Sequence, residues 1–211
     1  GSYPIRPGTV WDIIRSLFMS LDPYWESAME KVVLQVRLPR IILAVLIGGA
    51  LSVSGASYQT LFKNPMVSPD LLGVSAGAGF GAALVMLQGG DWWQIQSSAF
   101  VFGIIAVLAA WLIGQIFGQQ NITVLVLAGV VVSSFFQALL SIAKTLADTE
   151  SALPSITFWL MGSLSKGDME DVRFLLPAVG ISLLLLFFFR HQIDTLAAGE
   201  EEAAAMGVPV A

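Results

Sequence analysis

The chain of 211 residues has no cysteine and one histidine, His191. Without thiols it has neither a disulfide framework nor a thiolate metal site. Charge is scarce too: only 12% of residues are Asp, Glu, Lys or Arg, about half the share of a soluble globular domain. Residues 41–62, 71–90 and 174–189 contain no charge, and neither do 92–143, where only the polar stretch Gly118-Gln119-Gln120-Asn121 interrupts the apolar run. No HExxH metal motif, P-loop or GxSxG elbow occurs, which argues against an enzyme, and no cofactor or metal is expected. The net charge of -5 gives no basic surface for nucleic acid. No cleavable signal sequence is visible.

What is present is apolar length. A hydrocarbon core of about 30 Å takes about 20 helical residues. Five spans therefore fit, at about 40–61, 71–88, 95–117, 122–144 and 172–190. These segments are apolar all round and leave no face for water. The short alternating segments of a membrane barrel are missing. The expected fold is all-α: a polytopic transmembrane helix bundle of about five spans plus short interfacial helices. The chain divides into an amphipathic extracytoplasmic segment (1–38), a five-span bundle (39–190) and a C-terminal segment (191–211), all in one transmembrane region.

Local signals refine this picture. Thr9-Val10-Trp11-Asp12 reads as a capping box, and Trp11, Ile14, Arg15 and Phe18 share the face of an interfacial helix. Asp22-Pro23 reads as a second helix start. Ser68-Pro69 reads as the cap of the second span. Pro154-Ser155 opens a short apolar helix to about Leu164, too short to span and so re-entrant or interfacial. Gly48, Ser52 and Ala56 lie at four-residue spacing in the first span, and Gly73, Gly77 and Gly81 do so in the second, beside Ser75 and Gly79. Such stripes let helix backbones approach closely in lipid. Ser133, Ser134 and Gln137 are the polar residues deepest in the fourth span. They suit interhelical hydrogen bonds or the wall of a water path. No span carries a charge at its middle, as proton relays and ion pumps usually do. Transport powered from elsewhere is the favoured class. A non-transporting membrane scaffold or assembly subunit is the alternative.

Five stretches carry a resemblance. They are Arg37-Leu38-Pro39-Arg40; Ser54-Gly55-Ala56 through Gln59 to Asn64-Pro65; Leu71-Leu72-Gly73-Val74-Ser75-Ala76-Gly77-Ala78-Gly79; Trp159-Leu160-Met161-Gly162-Ser163-Leu164; and Gly199 through Val208. In this order they resemble FecCD/BtuC-type permeases, which import iron siderophores, haem, cobalamin and related metal chelates across the cytoplasmic (inner) membrane. Family members have about ten spans, so the chain resembles a fragment from the second to the sixth. The resemblance implies a multi-pass permease subunit that hydrolyses no ATP itself and works by alternating access. It implies as partners two copies of an ATPase subunit, a second permease copy, an external substrate-binding protein and the lipid bilayer.

It also implies roles. Arg37 and Arg40 would face outward and dock acidic residues of the binding protein, for which a bidentate guanidinium is suited. Asn64 and Met66, with Thr123, would form the cytoplasmic gate. Ser133, Ser134 and Gln137 of the fourth span and Trp159 of the short helix would line the translocation path. Glu200, Glu201, Glu202, Ala203, Ala204, Ala205, Met206 and Gly207 would form the coupling helix for the ATPase. On this topology the cytoplasmic segments 61–70, 118–122 and 190–211 hold only Lys63 and Arg190 of the lysines and arginines, and the opposite side holds Arg6, Arg15, Lys31, Arg37, Arg40, Lys144, Lys166 and Arg173. The positive-inside rule therefore points the other way, and the orientation adopted follows the motifs.

Overall fold

The computed structural model describes residues 3–118 and 122–198, with side chains to residue 195, and every regular element among them is helical. By packing, the chain forms two compact units: Gly1–Val53 with Ser163–Gln192, and Ser54–Gly162 with Ile193–Ala211. Among the described residues four helical stretches are long and apolar enough to cross a membrane: Ser27–Leu61, Trp92–Phe117, Ile122–Leu146 and Met169–Thr195. The chain is a multi-pass membrane helix bundle.

The first unit begins with α1 (Pro7–Ser16), which starts on proline at its first position, where the missing N–H costs nothing. Its N-cap is Arg6, with no side-chain cap, so the Thr9–Asp12 capping box does not form. The Asp12 carboxylate instead accepts a 2.7 Å hydrogen bond from the Tyr24 hydroxyl, which raises the Tyr24 pKa above the usual phenol value. Ile13 of α1 is fully buried, while Trp11 and Phe18 are exposed. The helix expected at Asp22-Pro23 starts later, at α2 (Ser27–Lys31), with Glu26 as its N-cap.

From α2 the chain runs without a break through a π-helical turn (Val32–Arg37) into α3 (Leu38–Leu61). The first membrane helix is thus 35 residues long and starts well before residue 40. Pro39 would be expected to break it, since it lacks an N–H and its ring crowds the carbonyl four residues back. The π turn answers this. The Leu38 N–H bonds to the Val33 carbonyl, five residues back, and this wider loop of the ladder admits the ring. α1 packs on the π turn, where Val33 is buried. The unit also holds a short 3-10 turn (Leu164–Lys166) and most of α8 (Met169–Ala198). The start of α8 is fixed by Asp168, whose Oδ1 accepts from the Glu170 and Asp171 amides. The Asp171 carboxylate in return accepts from the Asp168 N–H.

The second unit is built around α4 (Val74–Leu87), which packs against α5 (Trp92–Gly118), α6 (Ile122–Leu146) and α7 (Ala152–Met161). The stretch read as a span at 71–88 is shorter than expected. At 14 residues α4 extends about 21 Å, less than a hydrocarbon core. Ser68-Pro69 is not its cap. Residues 68–73 form turns, and the helix starts at Val74, where Asp70 Oδ1 accepts from the Ser75 amide at 2.9 Å. α4 is short because it is interior. Ala76, Gly77, Gly79, Gly81, Ala82 and Ala83 are all buried, so protein rather than lipid satisfies the irregular backbone before it. α5 opens with a reciprocal box: the Gln94 amide donates to Asp91 Oδ1 and the Asp91 amide to Gln94 Oε1. The core comprises Leu72, Ala76, Ala106, Ala110, Val132 and Phe136, with Phe80 and Phe102 packed against it. The Phe80 and Phe102 rings meet edge to face, 5.3 Å apart.

Candidate functional site

Glycine sets the close approaches inside the second unit. A Cβ on Gly77 would stand 2.5 Å from the Phe102 carbonyl oxygen and 2.7 Å from Ala106 Cβ, and one on Gly81 would stand 2.6 Å from the Ser98 carbonyl oxygen. Four residues down α4 therefore match four residues up α5, with no side chain between the backbones. Ser98 adds an interhelical hydrogen bond, its hydroxyl donating to the Gly81 carbonyl at 2.8 Å. Gly79 faces Leu160 of α7 and Leu140 of α6. Gly73, in the left-handed region at φ 79, lies against the Ser133 backbone. Gly129 of α6 faces the Leu71 carbonyl, where even a methyl group would collide. Neither Ser98 nor Gly129 stood out in the sequence, because neither belongs to a repeated stripe.

The first span behaves differently. Nothing among the described residues lies within 4 Å of a Cβ built on Gly48 or Gly49. Ser52 is exposed and donates to the Gly48 carbonyl of its own helix at 2.7 Å. This small-residue face is therefore open.

The residues proposed for the path separate. Ser133 is half-buried and turned to Gly73. Ser134 and Gln137 lie on the exposed side of α6 with Ser141 and Thr145. Along this side Ser134 donates to Val130, Ser141 to Gln137 and Thr145 to Ser141, each to a backbone carbonyl one turn back. Trp159 is half-buried on α7. The Ser134, Ser141 and Thr145 hydroxyls are thus engaged with their own helix.

The turn read as a gate has a defined shape. α3 ends in a paired-bond C-cap: the Asn64 amide donates to the Gln59 carbonyl and the Lys63 amide to the Thr60 carbonyl. This arrangement requires a left-handed residue, and Lys63 supplies it at φ 48. Asn64 Oδ1 then accepts from the Met66 amide at 2.9 Å, and Met66 is 89% exposed. Thr123 lies in the first turn of α6 and is exposed.

Arg37 and Arg40 are half-buried on the π turn and at the start of α3. Arg37 Nη2 donates to the Tyr3 carbonyl and Arg40 Nη2 to the Ser165 carbonyl. The proposed coupling helix, from Glu200 to Gly207, lies outside the described residues. Among the described residues no group of three or more His, Cys, Asp or Glu side chains could hold a metal ion.

Within the second unit, apolar helices pack through glycine contacts around α4, and polar atoms lie on the exposed side of α6. Comparison with known proteins gives the family. The FecCD transport family profile matches residues 1–211, and the chain belongs to that family. It is 32% identical over 213 residues to the molybdate import system permease protein MolB of Haemophilus influenzae, covering 100% of this chain and 62% of that protein. It is 33% identical over 211 residues to the ferric enterobactin transport system permease protein FepG of Escherichia coli, covering 100% of this chain and 63% of that protein. A solved structure, an inward-facing ABC transporter assigned to the metal-chelate type, superposes with a TM-score of 0.78 at 31% identity, covering 96% of this chain and 68% of that one. The chain thus spans less than two thirds of the length of these curated relatives.

Proposed function

We propose that this chain is the greater part of a permease subunit of an ATP-driven importer in the cytoplasmic membrane, passing a metal chelate inward by alternating access. The observation that carries the reading is the family match along all 211 residues, joined to spans without a central charge. A bare ion crossing such a bundle would find no ionisable side chain to coordinate it. A chelate brings its own ligands and needs only a path of suitable shape. Relatives are named for molybdate, ferric enterobactin and cobalamin.

In this reading ATP is hydrolysed by a separate subunit in two copies, and a second permease copy completes the path. Glu200 to Gly207 contact the ATPase. Arg37 and Arg40 receive an external binding protein. Asn64, Met66 and Thr123 narrow the cytoplasmic end, and Ser134, Gln137 and Trp159 line the path. The test is co-purification of the intact protein with its ATPase, with and without residues 199–208. Loss of the ATPase on deletion, with the permease still folded in the membrane, supports the importer. Unchanged association overturns the coupling assignment and leaves a scaffold. Uptake of a ferric siderophore, cobalamin and molybdate in the same reconstituted vesicles then ranks the substrates, and molybdate taken up best would overturn the chelate assignment.

A further inference from the structure

Arg40 holds a position that docking alone does not explain. Its Nη2 donates to the Ser165 carbonyl, while its Nε–H is buried and finds no acceptor among the described residues. Buried donors are rarely left unmade, and this one is the single buried side-chain atom of its kind recorded among them. The loop that Arg40 grips is also seated on α3 by a second contact. Gly167 lies so close to Leu43 that a Cβ there would stand 2.5 Å from Leu43 Cδ1. Within the loop the Ser165 amide donates to Ser163 Oγ at 3.1 Å and the two serine hydroxyls are 2.6 Å apart. The loop leaves α7 through Gly162, whose φ of 64 is open to glycine at little cost.

We propose that Arg40 is a positioning residue that latches residues 163–167 onto α3, and that an incoming carboxylate releases the loop by taking the guanidinium. This rests on the reading of Arg40 as a docking residue. The two states differ in one stated interaction. In the latched state one guanidinium N–H meets a neutral carbonyl and the Nε–H meets nothing. In the docked state a carboxylate takes both in bidentate fashion, a stronger charge-assisted pair. A ligand shifts an equilibrium only through such a difference between states. Docking thereby frees the segment that leads out of α7. Arg37, whose Nη2 donates to the Tyr3 carbonyl, tethers a different segment, so the two arginines are not equivalent.

The test is amide hydrogen exchange of the intact protein in lipid nanodiscs, read over residues 162–168, with hexaglutamate as the acidic probe. Arg40→Gln raises exchange there about tenfold and leaves α4 to α6 unchanged, while Arg37→Gln leaves residues 162–168 as they were. Should Arg40→Gln loosen the whole protein, Arg40→Lys keeps the charge and the aliphatic stem, loses the planar fork, and decides the matter by the same local rise. Hexaglutamate raises exchange at 162–168 in the unmodified protein and not in the Arg40 variant. Unchanged exchange in both Arg40 variants overturns the latch. A rise in the variants with no response to hexaglutamate overturns release by a carboxylate and, with it, the docking role of Arg40, while the latch itself stands.

Discussion

Two stripes of small residues read alike in the sequence and do different things in the structure. Gly73, Gly77 and Gly81 are buried, and the last two bring the α4 and α5 backbones into contact. Gly48, with Gly49 beside it and Ser52 one turn on, has nothing within reach of a Cβ. Four-residue spacing states only that a helix could be approached closely. Whether it is approached depends on what the rest of the chain delivers to that face. The α4 stripe is met by Phe102, Ala106 and Ser98, all on the next helix. The α3 stripe has no such neighbour among the described residues.

The sharpest way to break this contrast is to add side chains where backbones touch. Gly129→Val and Gly77→Leu drive atoms into the Leu71 and Phe102 carbonyls. Overpacking against backbone of this kind costs about 3 kcal/mol. The expected outcome is loss of a monodisperse peak in detergent gel filtration, and a thermally stable variant at either position would refute the packing described. Lys63→Gly works in the opposite direction. It removes the left-handed strain of a side chain at φ 48 and should stabilise by about 1 kcal/mol. Gly89 fills the same place after α4 at φ 68, with the Gly90 amide donating to Val85 and the Gly89 amide to Met86. A thermal shift of Lys63→Gly to a higher midpoint confirms that one cap is strained and the other is not. If transport falls as stability rises, the strain serves the turn read as a gate.

Ser98→Ala removes the α5–α4 hydrogen bond, and interhelical bonds of this type average about 0.6 kcal/mol in membrane bundles. Chemical unfolding in detergent should show a loss of that size. Gly48→Leu should not destabilise this chain, and removing a glycine from the helix interior should add up to about 1 kcal/mol. A large loss would mean that a neighbour covers the open stripe, and would erase the contrast with α4. The smallest effect concerns the α6–α7 connection. Asp148 accepts from the Ser151 hydroxyl at 2.8 Å and from the Ser151 and Glu150 amides. The Ser151 hydroxyl first, then these amides, hold its pKa below the ordinary 3.8. A carboxyl with a lowered folded pKa adds stability above its unfolded value and loses it as pH falls through the folded one. Ser151→Ala should therefore weaken the fold slightly at neutral pH and flatten the acid limb below pH 3.8, measured as the melting midpoint against pH.

Much of the protein was legible before its structure. Long charge-free runs in 211 residues can be buried only in lipid, because no face remains for water. The all-α class, the approximate places of the long spans and the short apolar helix before residue 164 follow from that local chemistry, although the first span begins earlier than read; the family followed from its motifs. Helix starts were less legible. Thr9, Asp22 and Ser68 are good caps in isolation, yet the chain starts its helices at Pro7, Ser27 and Val74; Asp12 bonds Tyr24 rather than closing the box, and Asp70 rather than Ser68 serves the start of α4. Cap propensity is a local preference worth only about 1 kcal/mol, so neighbouring alternatives such as Asp70 can displace it. The tertiary structure alone decided that α4 is a short interior helix, that a π turn carries the first span past Pro39, that the α4 stripe packs while the α3 stripe stays open, and that Arg37 and Arg40 grip carbonyls of their own chain. Except for the π turn, which is a local adjustment of the ladder, these depend on which residues distant in sequence meet or fail to meet, which periodicity and composition do not encode.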